Sequence, residues 1–236
     1  MPVICAILWG LLTPAAMWAV WKYCLPRLAE IAGNAASDTN NEQVPVPGQS
    51  LPRTVFFRTV RNRAVTWIVC GVLSAVCGYI AADSAVTALS FIKMWLVFLV
   101  LACITVTDVE LMLIPNKASL VLLGGGVVLL GVQWIRNGEA TILASVVSLV
   151  ICLILLLIMA WVTKGGFGMG DVKIISCVGF LCGIKTVCYV LTLSLFACAL
   201  SSMLLLAVKK KHLKDLLPLG PFLWLAMGFA ICLRLI

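Results

Sequence analysis

Apolar runs close to 20 residues long recur along almost the whole chain, separated by short polar breaks. A helix of about that length, rising 1.5 Å per residue, crosses the hydrocarbon core of a bilayer. Inside lipid the backbone must satisfy its own hydrogen bonds, which leaves helices as the natural solution for such runs. The expected fold is therefore all-α: a polytopic transmembrane bundle of about eight spans, at 2–20, 65–82, 90–106, 118–135, 140–162, 172–183, 186–208 and 219–235. Composition agrees, with 63% hydrophobic and 11% charged residues, against about 25% charged in an ordinary soluble domain. The run 172–183 is only about 18 Å long as a helix. It completes a crossing if the glycine-rich break before it dips into the membrane, as a loop lining a polar cavity can.

Charge sets the topology. No basic segment precedes the first run and Lys22 follows it, which disfavours a cleaved signal peptide and places the N-terminus outside. With eight spans, 13 of the 17 lysines and arginines fall in inside loops and four outside, as the positive-inside rule requires. The net charge of +8 is then a topology signal, and no nucleic-acid partner is expected. The only long polar stretch, 25–64, carries three prolines within 44–52 and then Arg53, Arg58, Arg61 and Arg63 around Phe56 and Phe57, a pattern that suggests a short interfacial element. We divide the chain into 1–64, a first helix with its cytoplasmic loop, and 65–236, a transmembrane core. The eleven cysteines contain no C-x-x-C pair, and the nine from Cys70 to Cys232 all lie in apolar runs. They read as small core or lipid-facing residues, and neither a metal site nor a cofactor is expected.

Two acidic residues sit where acid is expensive. Asp171 ends the glycine-dense break 164–171, and Asp108 follows the third run, opening a segment 108–117 that reads as a short loop before Pro115 turns the chain. A carboxylate at the edge of hydrocarbon costs several kcal/mol unless paired, protonated or wetted. Counting spans puts both on the cytoplasmic face. Gly168 and Gly170 allow φ > 0 or the close approach of another backbone. Lys173 and Glu110 are neighbouring charges that could support the pair or simply be interfacial. The plain structural alternative is that the aspartates cap helices, with Asp171 as N-cap before Val172.

Elimination narrows the chemistry. The single histidine, His212, lies among lysines, no H-E-x-x-H is present, and the glycine break lacks the G-K-[ST] ending of a P-loop. Two aspartates remain, and such a pair can share a proton and activate water. One takes water's proton while the other, protonated, polarises a carbonyl. A transporter or channel using the pair as an ion or proton site is the main rival, although the spans offer mostly isolated Ser and Thr. A non-catalytic assembly factor of a membrane machine is a third reading.

The segment 165–173 resembles the G-x-G-D signature of bacterial type IV prepilin peptidases, which are membrane aspartic proteases. Asp108 with Ile114-Pro115-Asn116 is similar to the segment bearing their other aspartate, and Leu217-Pro218-Leu219-Gly220-Pro221-Phe222 to the opening of their final helix. The likeness covers about three quarters of the chain. Presenilin-like proteases share G-x-G-D, but their partner aspartate follows tyrosine whereas Asp108 follows Thr107. The resemblance implies a multi-pass protein of the bacterial inner membrane, with Asp108 and Asp171 as catalytic dyad. It also implies prepilin or pseudopilin precursors as partners, with the leader cleaved after a glycine at the cytoplasmic face.

One departure stands out. Long members of that family bind zinc through paired cysteines in the first cytoplasmic loop and also N-methylate the new N-terminus, making them bifunctional. The stretch 25–64 has no cysteine, and a structural zinc site needs four N or S ligands. The purified protein should contain no stoichiometric zinc and cleave normally in chelator, and its product should keep an unmethylated amine. A methyl-sized mass increase on product made with S-adenosylmethionine present would overturn this expectation.

Overall fold

Helix follows helix, with breaks where the chain carries proline, glycine or a charged turn. The computed structural model describes residues 2–24, 26–28, 30, 63–84, 88–111, 114–137, 140–163, 168–207 and 217–233. Among them are eight α-helices: α1 (Pro2–Ala19), α2 (Arg63–Ser84), α3 (Ala88–Leu111), α4 (Asn116–Asn137), α5 (Ala140–Val162), α6 (Met169–Cys182), α7 (Ile184–Ala207) and α8 (Gly220–Cys232). The interfacial element expected near Phe56, the break 164–167 and the lysine cluster with His212 lie outside the described residues.

Five helical stretches are long and apolar enough to cross a membrane: Val3–Leu28, Ala88–Leu111, Asn116–Ile135, Ile142–Val162 and Ile184–Leu204. Many of their large side chains, such as Val128, Leu143 and Phe196, are exposed, the surface expected of a protein whose solvent is lipid. The first helix ends in a π-helical turn, Val20–Cys24. There Lys22 Nζ lies 4.7 Å from the Trp18 ring and 5.3 Å from that of Tyr23, a cation–π cluster suited to a membrane–water boundary.

The helices are not equivalent. In α3, 44% of the most apolar window is buried inside the protein, against 17% in each of the other four long stretches. Helix α6 is enclosed by α3, α4, α5 and α7, and α8 by α2, α3 and α7. The fold is thus three inner helices, α3, α6 and α8, in a sleeve of outer ones. An aromatic chain ties α1, α3 and α8 together: Trp9 meets Phe91 and Phe98 edge-on at 5.3 and 5.5 Å, and Phe98 meets Trp224 at 5.3 Å. Polar groups close other seams. The Cys77 thiol donates to the Gly228 carbonyl at 3.8 Å between α2 and α8, and Ser148 to the Gly179 carbonyl at 2.9 Å between α5 and α6.

Two boundaries differ from expectation. Asp108 is not in a loop: α3 continues through Leu111, because nothing in Asp108-Val109-Glu110-Leu111 breaks a helix. Ile114, the residue that Pro115 disfavours in helix, is not helical. Helix α6 starts at Met169 rather than 172, so Asp171 sits inside its first turn. Asp171 is therefore not the N-cap; Gly168 is, and its carbonyl already accepts from the Val172 N–H at 3.2 Å. Gly168 has φ −67° and Gly170 is helical, so neither uses φ > 0. Among the described residues the glycine that does is Gly183, φ 84°, which turns the chain between α6 and α7.

Helices α1 and α2 pack through small residues. A Cβ on Gly78 would lie 2.7 Å from Trp9 Cβ, and Trp9, 1% exposed, has no room to move. Gly78→Ala should therefore lower the thermal midpoint in detergent, since overpacking costs about 1–3 kcal/mol. Gly124→Ala, where nothing lies within 4 Å, should hold or raise it. Equal effects of the two changes would show that this seam is loosely packed.

Candidate active site

Asp108 occupies the last turn of α3, on its inner face, and is 7% exposed. Its Oδ2 accepts a hydrogen bond of 2.6 Å from the Gly220 backbone N–H at the start of α8. Short bonds of this kind, between a carboxylate and a backbone donor, are the strong ones. Helix α8 supplies that donor because of its sequence. Leu219 is the N-cap, Pro221 has no N–H to offer, and the Phe222 and Leu223 N–H groups both go back to the Leu219 carbonyl at 3.1 and 3.0 Å. The Gly220 N–H is left pointing outward from a helix N-terminus, where the backbone dipoles favour an anion. Glycine is needed there for space: a Cβ would sit 2.9 Å from Asp108 Oδ2 and 3.1 Å from Asp108 Cβ.

Asp171 is half-buried, three residues into α6 from its N-cap. Its carboxylate folds back over its own helix end, so that a Cβ on Gly168 would come within 2.9 Å of Oδ2. Among the described residues it receives no hydrogen bond. The Asp108 carboxylate acts on it electrostatically, so the two acids from α3 and α6 share one site. Two helix N-termini, those of α6 and α8, converge on them.

The other residues singled out in the sequence fall around this pair. Gly170 packs against the 114–115 connection; a Cβ there would lie 2.9 Å from Ile114 Cβ. Lys173 is exposed, and its Nζ donates to Asn116 Oδ1 at 3.2 Å, bridging α6 to the start of α4. Glu110 is exposed on the final turn of α3. Neither charge is inserted between the two aspartates. Gly220 is the site residue that sequence reasoning missed. Its signal was a Gly-Pro at a helix start, read only as the opening of the final helix, and a backbone donor has no side-chain signature.

Two carboxyls at the end of an apolar bundle, with no histidine and no group of three or more metal-ligating side chains among the described residues, suit proton transfer to and from water. Comparison with known proteins points the same way. Residues 95–203, which include both aspartates, match the type IV leader peptidase family. The chain is also 31% identical over 134 residues to the prepilin leader peptidase/N-methyltransferases of Aeromonas salmonicida and Aeromonas hydrophila. That similarity covers 56% of this chain and 46% of each relative, so the chain spans just under half the length of the curated relatives it matches. No solved structure matches.

The matched region thus contains a carboxyl pair seated against glycines on both sides. Because Gly170 packs directly against Ile114, Gly170→Ala should lower the thermal midpoint in detergent, since overpacking costs about 1–3 kcal/mol. Adding Ile114→Ala, which removes the opposing atoms, should restore part of it, and Met169→Leu at the exposed neighbour should change little. Thermal unfolding of the three proteins decides the point, and an unchanged midpoint for Gly170→Ala would show that this contact is loosely packed.

Proposed function

We propose that the protein is a membrane-embedded aspartic endopeptidase of prepilin type, with Asp108 and Asp171 as its catalytic pair. The observation that carries this reading is the meeting of two carboxyls from α3 and α6 at one end of the bundle, inside a region that matches the type IV leader peptidase family. In this reading all eight helices cross or enter the membrane with the N-terminus outside. The segment 1–64 is an anchor with its loop, 65–236 is the peptidase core, and the site faces the cytoplasm. The substrate is a type IV prepilin or pseudopilin precursor, cut after a glycine just before its apolar helix. One carboxylate takes a proton from water as the oxygen attacks the scissile carbonyl, and its protonated partner stabilises the oxygen of that carbonyl. Gly168 and Gly170 shape the floor of the site, and Glu110 and Lys173 flank it. We further propose that the chain lacks the methyltransferase activity of its Aeromonas relatives' names, because 25–64 has no cysteine.

Asp108→Asn and Asp171→Asn should each abolish cleavage of a prepilin by the purified protein, while each variant still inserts and purifies normally. The double variant should be no worse than either single, as for groups that act as a unit. Either single variant keeping more than about a hundredth of wild-type turnover would remove that residue from the chemistry, since loss of such a group costs several orders of magnitude.

A further inference from the structure

The two aspartates are chemically alike but unequally housed, and a pair that shares one proton must place it somewhere. Asp108 Oδ2 takes the Gly220 N–H at 2.6 Å, a bond that requires a lone pair and gains when the acceptor is charged. It also lies at the N-terminus of a separate helix, α8. Asp171 lies at the N-terminus of its own helix, yet among the described residues no donor reaches its oxygens. Among the described residues, the other charges at this end of the bundle do not reverse the bias. Glu110 on α3, Lys117 on α4 and Lys173 on α6 are all exposed to solvent, and Lys173 is engaged with Asn116.

We infer that the backbone N–H of Gly220 makes the pair asymmetric, holding Asp108 as the carboxylate and leaving the shared proton on Asp171. This deepens the peptidase reading and rests on it for the roles that follow. Asp108 takes a proton from water, and the water oxygen bonds to the scissile carbonyl carbon. Asp171 gives its proton to the carbonyl oxygen, forming a geminal diol. The C–N bond then breaks as Asp108 passes its proton to the leaving nitrogen, and Asp171 recovers one from a diol hydroxyl. A free acid and a free amine leave, and the pair returns to its starting state. Gly220 is a positioning residue in this scheme: it touches no reacting atom but determines which carboxyl acts as base. Pro221 contributes by removing the neighbouring donor, and the absence of a Cβ at Gly220 lets the two groups meet.

The proton can be located directly. The chain has five aspartates, so the full-length protein labelled with ¹³C at Asp Cγ, in detergent, gives a small set of carboxyl resonances. The Asp108→Asn and Asp171→Asn spectra assign the two of interest. At the pH where the pair holds one proton, Asp171 should show the shift of a protonated acid and Asp108 that of a carboxylate, with a preference of about tenfold or more, the size expected of one charge-assisted hydrogen bond. Gly220→Pro, which deletes the N–H, should move the proton toward Asp108. Gly220→Ala, which crowds the same oxygen but keeps the N–H, should move it less. A wild-type spectrum with the proton on Asp108, or evenly shared, overturns the proposal, and so does an equal response to Ala and Pro. The measurement needs no substrate. A protein whose proton sits on Asp171 but which cleaves no prepilin would therefore sink the peptidase reading and leave the charge assignment standing.

Discussion

Bringing a carboxylate into an apolar bundle costs several kcal/mol unless the surroundings compensate, and this chain has few polar side chains with which to do so. The compensation at Asp108 comes from the backbone, through the one N–H of α8 that neither proline nor an intrahelical bond has removed. Much of the arrangement around the site follows from that single contact. For Gly220 to reach Asp108, α8 must lie directly against α3. The Phe98–Trp224 contact and the aromatic chain from Trp9 hold it there. The close approach also excludes any side chain at position 220. Asp171 enters from the opposite side on α6, whose enclosure by four helices gives its short length a fixed place.

The division between inner and outer helices explains why so much was legible in the sequence. Apolar runs of membrane-spanning length separated by charges leave little choice of element, and the eight expected runs correspond one-to-one with the eight described helices. The two aspartates stood out because acids are rare in such runs. Finer features were hidden where the physics is local and subtle. Asp108 was assigned to a loop because polar residues suggest one, whereas a helix ends where its hydrogen bonding fails, here near Pro115. Gly168 and Gly170 were read as candidates for unusual backbone angles. They serve instead as empty space, for the Asp171 carboxylate and for Ile114. Glycine looks the same in sequence whichever property is used.

Gly220 was illegible for a different reason. A side chain that binds a carboxylate declares itself by type, as arginine or histidine does. A backbone donor is offered by almost every residue and becomes available only when its own helix leaves it unbonded. The pattern Leu-Gly-Pro creates that circumstance, but its target depends on tertiary packing between segments 112 residues apart.

A site built this way depends on helix placement more than on side-chain conformation. A lysine or arginine can follow a moving carboxylate by changing rotamer, whereas the Gly220 N–H moves only with α8. Its 2.6 Å bond therefore reports the separation of α3 and α8 directly. The seams that hold α8 are made of contacts with little freedom: a thiol to the Gly228 carbonyl from α2 and a buried tryptophan against Phe98 from α3. The face of α8 toward α7 is different, with an open apolar groove lined by Tyr189, Phe196, Phe229 and Leu233. Helix α8 is thus packed against α2, α3 and α7, with the groove opening beside α7. A carboxylate held by a backbone donor, with no side-chain donor among the described residues, requires that close packing.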